Sequence, residues 1–308
     1  MNKYIEASET LKTISGITIT PFDKNREIIW DGVTENVNYL IEKGLKVIVP
    51  CGNTSEFYSL TISEAKEEIK HTVDVADKKA FVLAGVGYDV KTAIEMGNYA
   101  KDVGADGIMI HMPVHPYITS GGAKEYFENI INNVDLPAVI YFKDPHISDD
   151  IIFDLAKNER FVGVKYAVND LPRFTRVAVN LPKNDNVTLI CGTAEKWAPY
   201  YFSAGAEGFT SGLVNVYPEK AFELLHSLQS KDFKKSFEIW NNIVKFEDLR
   251  AKYNNGNNVV IIKEAMEMLN LTAGITREPV SSLNDTDRTE TEELLKFWGF
   301  DIKKKELI

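Results

Sequence analysis

Short apolar runs alternate with amphipathic segments along almost the whole of this 308-residue chain, at a spacing of roughly 25 to 35 residues. Most of these runs are continuously apolar, as parallel strands covered on both faces should be. The eight runs are Gly16–Pro21, Lys46–Cys51, Ala80–Val86, Gly107–Met112, Ala138–Phe142, Val162–Tyr166, Val187–Cys191 and Gly208–Ser211. Eight β-then-α units in series predict an α/β fold of the (β/α)8 TIM barrel type, with an open doubly wound sheet as the alternative.

The last quarter of the chain changes to a purely helical pattern. After the helix predicted at Pro218–Gln229, three further helices are expected at Phe233–Tyr253, Val259–Leu271 and Thr286–Trp298. The turn Asn254–Asn258 separates the first two of them. We therefore predict a barrel over residues 1–228 and a C-terminal helical region, residues 229–308, packed on it.

Composition and charge exclude several classes of function. The chain is 44% hydrophobic and 26% charged, which is enough apolar material for a globular core. A net charge of -10 argues against nucleic-acid binding but leaves an anionic substrate open, since a site needs only local donors. Neither a signal peptide nor a membrane span is evident. The two cysteines, Cys51 and Cys191, form no disulfide or zinc pattern, so a cytoplasmic protein without a metal is expected.

One lysine, Lys165, interrupts the apolar run Phe161–Ala167. A buried ammonium is costly unless it is paired or its pKa falls until the amine is neutral. A neutral, desolvated lysine is the nucleophile that forms Schiff bases with carbonyl substrates. The alternative is a lysine at a strand end that reaches solvent or pairs with a carboxylate.

Other candidate residues follow strands, where a barrel places its chemistry. The turn Cys51–Glu56 offers hydroxyls and backbone N–H groups that suit a carboxylate, although an ordinary capped turn would look the same. Tyr141 ends the fifth strand and could shuttle a proton beside an amine, or simply pack. Three strand-end histidines, His111, His115 and His146, lack any metal-ligand spacing motif.

Lys165, Tyr141 and the Gly52–Glu56 turn, taken together, resemble the Schiff-base lyases of the dihydrodipicolinate synthase / N-acetylneuraminate lyase family. The resemblance begins at Gly16–Phe22 and continues through these motifs to the C-terminal helices, so it covers nearly the whole chain. It implies a cofactor-free lyase acting on a small-molecule keto acid. It also implies a homo-oligomer, either a dimer or a tetramer.

The resemblance assigns roles to individual residues. It implies that Lys165 attacks the ketone of a 2-keto acid and that Tyr141 relays protons. Thr54, with the backbone N–H of Ser55, would hold the substrate carboxylate. Thr210 on the eighth strand matches a position whose backbone lines the same pocket.

Four positions depart from the family's synthases. Asn53 replaces a hydroxyl-bearing residue, and Ser55 replaces a glycine. His115 stands where the synthases carry a second tyrosine of the proton relay. His146 stands where dihydrodipicolinate synthases place an arginine that binds the dicarboxylic product. These departures make the four residues candidates for substrate contacts or for a replaced relay.

The departures favour a subgroup resembling the 5-dehydro-4-deoxyglucarate dehydratases, which carry a basic residue two places after the tyrosine, as Lys143 is here. The pair Thr210 and Ser211 points the same way, and these residues with Lys143 are candidates for the distal end of the substrate. We therefore expect dehydration and decarboxylation of a sugar-derived keto acid. The alternatives are a 4-hydroxy-tetrahydrodipicolinate synthase using pyruvate and aspartate semialdehyde, an aldolase for 2-keto-3-deoxy sugar acids, and a non-catalytic keto-acid-binding barrel.

Overall fold

The computed structural model describes residues 2–182 and 186–302, and within these ranges eight parallel strands close into a barrel in chain order. Each strand pairs with the next, and the last pairs with the first through the register Ser15–Thr210. The strands are β1 (Ile14–Ile17), β2 (Val47–Val49), β3 (Phe81–Val86), β4 (Gly107–Ile110), β5 (Ala138–Phe142), β6 (Phe161–Tyr166), β7 (Thr188–Cys191) and β8 (Gly208–Ser211). The predicted (β/α)8 fold is confirmed.

The first strand lies earlier in the chain than the sequence predicts. β1 ends at Ile17, whereas the predicted run Gly16–Pro21 continues four residues further. The chain leaves the barrel wall here because Thr20 turns towards the loop after β2, where its hydroxyl lies 2.7 Å from both the Ser55 carbonyl oxygen and a Glu68 carboxylate oxygen. The predicted run therefore has two parts: its first residues belong to β1, and Thr20 near its end supports the loop after β2.

A helix that the sequence analysis did not predict, α1 (Lys3–Thr10), closes the N-terminal end of the barrel. Its apolar residues join the side chains that fill the barrel interior, and Leu11 just after it is fully buried. The hydroxyls of Ser8 and Thr188, which begins β7, lie 2.9 Å apart. Because α1 fills this end, the opening lies at the other end, where the strands terminate.

Helices on the outside cover the strands, as their apolar stripes require. Thr61 and Glu64 form a capping box at the start of α3, and Gly44 with φ +93° follows the end of α2. Short 3₁₀ turns lie at Phe57–Ser59 and Leu213–Asn215. The covering helices are α2 (Trp30–Glu42), α3 (Ile62–Ala76), α4 (Val90–Asp102), α5 (Ser120–Asn133), α6 (Asp150–Leu155), α7 (Leu171–Asn180), α8 (Ala194–Ser203) and α9 (Pro218–Gln229).

Three further helices follow: α10 (Phe233–Asn255), α11 (Val260–Met268) and α12 (Asp285–Phe297). The longest, α10, packs against α8 and α9, and its last turn leaves helical geometry at residues 252–254. The predicted division at residues 228 and 229 falls at the end of α9 and stays a prediction, and residues 303–308 of the predicted region lie outside the described ranges.

None of the helices in the described part of the chain is long and apolar enough to cross a membrane.

Candidate active site

A cavity of about 650 Å³ opens at the ends of the strands, where β-to-α loops meet the end of α10. Seven of the ten residues that the sequence analysis selected for the site line this cavity. They come from β2, β5, β6 and β8 or the loops after them, and they are Asn53, Thr54, Tyr141, Lys143, Lys165, Thr210 and Ser211. Residues spread over most of the barrel sequence therefore meet in one place, because parallel strands all end on the same side.

Lys165 lies on β6, in register with Tyr141 on β5, and its side chain is buried. Burial, together with the charges of Lys143 and Arg250, lowers the pKa of Lys165 from 10.5 to about 7. Within residues 2–182 and 186–302 its amine makes no ion pair with a carboxylate, and Nζ lies 4.1 Å from the Tyr141 ring centroid. Near neutral pH a large share of this amine is therefore uncharged and able to attack a carbonyl carbon.

Tyr141 presents a protonated phenol next to that amine. Burial raises the pKa of Tyr141 to about 12, and the neighbouring Asn53 side chain opposes the rise. A phenol of this kind can donate a proton to a developing oxygen anion and recover it afterwards. The pairing of strands β5 and β6 fixes the amine and the phenol side by side.

The turn after β2 presents backbone donors to the cavity. Ser55 is fully buried beneath the turn, where its hydroxyl donates to the Thr18 carbonyl oxygen at 2.6 Å. The Ser55 N–H donates to the Gly52 carbonyl oxygen at 3.0 Å, so the predicted carboxylate donor is already used inside the turn. In the described chain, the N–H groups of Asn53 and Thr54 have no protein acceptor, and both residues line the cavity. The free backbone donors of this turn are therefore those of Asn53 and Thr54, one residue earlier than the Ser55 N–H that the sequence indicates.

His115 and His146, which the sequence analysis placed in the site, are exposed residues outside the cavity lining. The His115 Nδ1 atom accepts the Tyr117 N–H at 3.1 Å, so the imidazole caps its own loop. The His146 N–H donates to the Asp144 carboxylate at 2.8 Å in the loop after β5. A contact of the His115 ring and a contact of the His146 backbone therefore lie within their own loops, which a sequence comparison by position does not reveal.

A third histidine, His111, supports the turn after β2. Its ring stacks on Phe57 with centroids 4.3 Å apart, and its Nε2 lies 2.8 Å from the Cys51 carbonyl oxygen. Burial lowers the pKa of His111 to about 3, so the ring is neutral and Nε2–H can donate to that carbonyl. His111 therefore holds the backbone that leads into Asn53 and Thr54.

The sequence analysis missed the far side of the cavity, which the end of α10 and the following turn supply. Glu247, Arg250, Asn254, Asn255 and Asn258 line it. The Asn254–Asn258 stretch carried a signal, a run of amides interrupted by one glycine, but it indicated only a turn. No local pattern shows that the end of α10, far along the chain from β6, returns to the barrel mouth.

A buried carboxyl lies behind this wall. The Ser211 hydroxyl donates to one oxygen of Glu195, whose other oxygen is buried and has no hydrogen-bond partner in the described chain. Burial and the nearby Glu247 charge raise the pKa of Glu195 to about 8. At neutral pH Glu195 is therefore mostly protonated and adds little negative charge near the cavity.

Metal ligands are not grouped at this site. Across residues 2–182 and 186–302, His, Cys, Asp and Glu side chains form no cluster of three or more that could hold a metal ion. The chemistry that the lining residues offer is that of an amine, a phenol and hydrogen-bond donors.

Comparison with known proteins finds one family and relatives that match nearly the whole chain. The model of the dihydrodipicolinate synthetase family matches residues 10–297. A 4-hydroxy-tetrahydrodipicolinate synthase of Methanospirillum hungatei is 30% identical over 284 residues, which cover 90% of this chain and 96% of that protein. A protein of the same name from Methanocaldococcus jannaschii is 29% identical over 284 residues, which cover 91% of this chain and 96% of that protein.

Solved structures agree with these sequence matches. The crystal structure of a dihydrodipicolinate synthase from Oceanobacillus iheyensis superposes with a TM-score of 0.95 at 57% identity, over 96% of this chain and 99% of that one. A dihydrodipicolinate synthase from Bacillus clausii gives a TM-score of 0.94 at 54% identity, over 96% and 100%. Similarity therefore extends over the barrel and the C-terminal helices alike.

Proposed function

The chain belongs to the dihydrodipicolinate synthetase family of Schiff-base lyases, and on that premise we propose that it joins a 2-keto acid to an aldehyde, as a 4-hydroxy-tetrahydrodipicolinate synthase. The observation that carries this proposal is the buried, unpaired amine of Lys165 beside the phenol of Tyr141. The sequence analysis kept this activity as an alternative, and the names of the relatives favour it over dehydration of 5-dehydro-4-deoxyglucarate.

The reaction starts with the keto acid held by its carboxylate. The free N–H groups of Asn53 and Thr54 donate to the two carboxylate oxygens, which places the ketone carbon near the Lys165 amine. The amine attacks that carbon, the ketone oxygen takes a proton from Tyr141, and water leaves as the protonated imine forms. The charged imine is an electron sink that acidifies the adjacent C–H bond.

Carbon–carbon bond formation follows from the imine. The Tyr141 phenolate that imine formation leaves takes a proton from the adjacent carbon, which gives an enamine and restores the phenol. The enamine carbon attacks the aldehyde carbon of aspartate semialdehyde, and the aldehyde oxygen takes the proton back from the Tyr141 phenol. Hydrolysis of the new imine returns Lys165 and releases the product.

One observation favours a second candidate, the dehydratase. Lys143 lines the cavity, makes no ion pair within the described residues, and has a pKa lowered by burial. A cation here suits the distal carboxylate of a sugar-derived keto acid, whereas the Ser211 hydroxyl, predicted for the same end, already donates to Glu195. The same imine would then expel a β-hydroxyl group in place of adding to an aldehyde.

Borohydride trapping tests both candidates. The protein is treated with pyruvate or with 5-dehydro-4-deoxyglucarate, reduced, and analysed by intact mass and peptide mapping. We expect an adduct on Lys165 and condensation of pyruvate with aspartate semialdehyde. Turnover of 5-dehydro-4-deoxyglucarate alone would establish the dehydratase. Binding of a keto acid without any adduct would leave a non-catalytic barrel, and an adduct on another lysine would overturn the mechanism.

The assembly stays a prediction of the family resemblance. Sedimentation velocity on the full chain tests it, with a dimer or tetramer as the expected outcome and a monomer as the contrary one.

A further inference from the structure

We propose that Arg250, from the C-terminal helix α10, binds an anionic group on the half of the substrate remote from Lys165. This inference rests on the proposed function, because Lys165 and the turn after β2 fix the other half of the substrate. It gives the C-terminal region a direct part in substrate choice. The sequence analysis had assigned the distal end to Lys143, Thr210 and Ser211.

Arg250 shares one cavity with the imine-forming lysine although it follows that lysine by 85 positions in the chain. Its positive charge acts on the Lys165 amine and contributes to the lowered pKa of that amine. A ligand bound through an imine to Lys165 therefore lies within the electrostatic reach of the guanidinium.

The guanidinium is held rigidly before any ligand arrives. Its Nη1 donates to both Glu247 carboxylate oxygens, at 2.7 and 2.9 Å. Its Nε donates to the Asn258 carbonyl oxygen at 3.2 Å, and its Nη2 donates to the Asn258 side-chain oxygen at 2.6 Å. These bonds use four of the five N–H groups, so one Nη2 N–H stays available to a ligand. A fixed donor loses little entropy on binding.

A glycine makes room for the guanidinium at the cavity. Gly212 follows β8 and lines the same cavity, and a Cβ atom there would lie 2.7 Å from both Arg250 Nη2 and Ile262 Cδ1. Any side chain at position 212 would therefore push the guanidinium out of its position.

The turn after Arg250 adds amides to the same wall. Asn254 and Asn255 both have left-handed backbone angles, with φ of 55° and 66°, and both line the cavity. Non-glycine residues in this conformation carry strain, which concentrates at ligand sites. The turn therefore adds two amide residues to the cavity lining that also contains Arg250.

The charge balance of the wall favours an anion. Among the described lining residues, Lys143, Lys165, Lys196 and Arg250 are basic and Glu247 alone is acidic, in a chain whose net charge is -10. Lys196 pairs with Asp248 outside the lining, and Glu247 pairs with Arg250 itself. The positive charge that remains is that of Lys143 and of the protonated fraction of Lys165, so the cavity still favours an anion, to which Arg250 offers its fixed N–H group.

The test compares two keto acids of equal length that differ only at the remote end, 2-oxoglutarate and 2-oxopentanoate. Calorimetry gives a Kd for each on the full-length protein, and borohydride reduction reports whether each forms the imine on Lys165. We expect the wild type to prefer 2-oxoglutarate. Arg250→Gln should reduce that preference by about 10- to 100-fold, the loss typical of one hydrogen bond to a charged group. Arg250→Lys should retain part of it.

Two further variants serve as a control and as a second test of Arg250. Arg160→Gln removes a part-buried arginine whose bonds go to carbonyl oxygens of the α5 region, away from the cavity, and should keep the preference of the wild type. Gly212→Ala retains the Arg250 residue but places a methyl group 2.7 Å from its Nη2 and from Ile262 Cδ1, so the guanidinium must shift, and the preference should weaken even if Arg250→Gln does not fold.

Three results separate the two proposals. An undiminished preference in Arg250→Gln, or equal wild-type affinity for both keto acids, would overturn the role of Arg250. A preference that depends on Arg250 without any trapped imine would support that role and refute the Schiff-base function. A trapped imine with a preference independent of Arg250 would support the Schiff-base function and refute the role of Arg250.

Discussion

Replacing Lys165 by methionine is expected to stabilise the fold, although it removes the proposed nucleophile. Burial lowers the pKa of Lys165 from 10.5 to about 7. At 1.36 kcal/mol per pKa unit, keeping this amine charged costs the folded protein about 5 kcal/mol more than the unfolded chain. Methionine keeps an unbranched, flexible side chain of similar length and carries no charge.

The sign of the pH dependence follows from this depressed pKa. Between pH 7 and 10.5 the unfolded chain binds more protons at this lysine than the folded protein does, so the wild type gains stability as the pH rises. The cost is complete below pH 7 and falls to about 2 kcal/mol at pH 9. We therefore expect Lys165→Met to be more stable than the wild type by up to about 5 kcal/mol at pH 6 and by less at pH 9.

Equilibrium urea denaturation at pH 6 and pH 9 measures this gain. Lys263→Met is the matched control, because Lys263 is also buried but pairs with Glu56 at 2.5 Å and donates to the Ile275 carbonyl oxygen at 2.7 Å. Its loss leaves a buried carboxylate without its cation, which typically costs 3–5 kcal/mol. The two substitutions should therefore act in opposite directions. A Lys165→Met protein no more stable than the wild type at pH 6 would show that the amine is not desolvated as described.

Three further outcomes are expected. Tyr141→Phe should lower turnover by about 10²- to 10⁴-fold, because it removes the phenol proton and keeps the ring, and steady-state assays would contradict this with a loss below tenfold. Burial raises the pKa of Glu68 from 4.5 to about 7, so the free energy of unfolding of the wild type falls by about 3 kcal/mol as the pH rises from 4.5 to 7. Glu68→Gln should remove this pH dependence, as urea titrations at several pH values can show. Gly85→Ala should unfold the protein or abolish keto-acid binding, because its Cβ would lie 2.1 Å from a backbone oxygen of the loop after β2. Gly121→Ala is the control: its Cβ would have no neighbour closer than 3.9 Å, so the melting temperature should stay that of the wild type.

The sequence by itself determined the barrel and the strand neighbourhood of the proposed nucleophile Lys165 and the proposed proton donor Tyr141. Continuous apolar runs predict parallel strands covered on both sides, because only such strands exclude water from both faces. A lysine within one run and a tyrosine ending the previous run must then lie on neighbouring strands. The observed register pairs Tyr141 with Lys165 directly. Local pattern was sufficient here because strand order in the barrel follows chain order.

Tertiary packing decided the remainder of the cavity. Hydrogen bonds within their own loops hold His115 and His146 outside it, and the turn after β2 consumes the N–H of Ser55. The return of α10, which brings Arg250 to the mouth, depends on how one helix packs on two others. The apolar stripe of a helix predicts which face is buried but not which end reaches a site 85 residues away, since that position is set by contacts between elements.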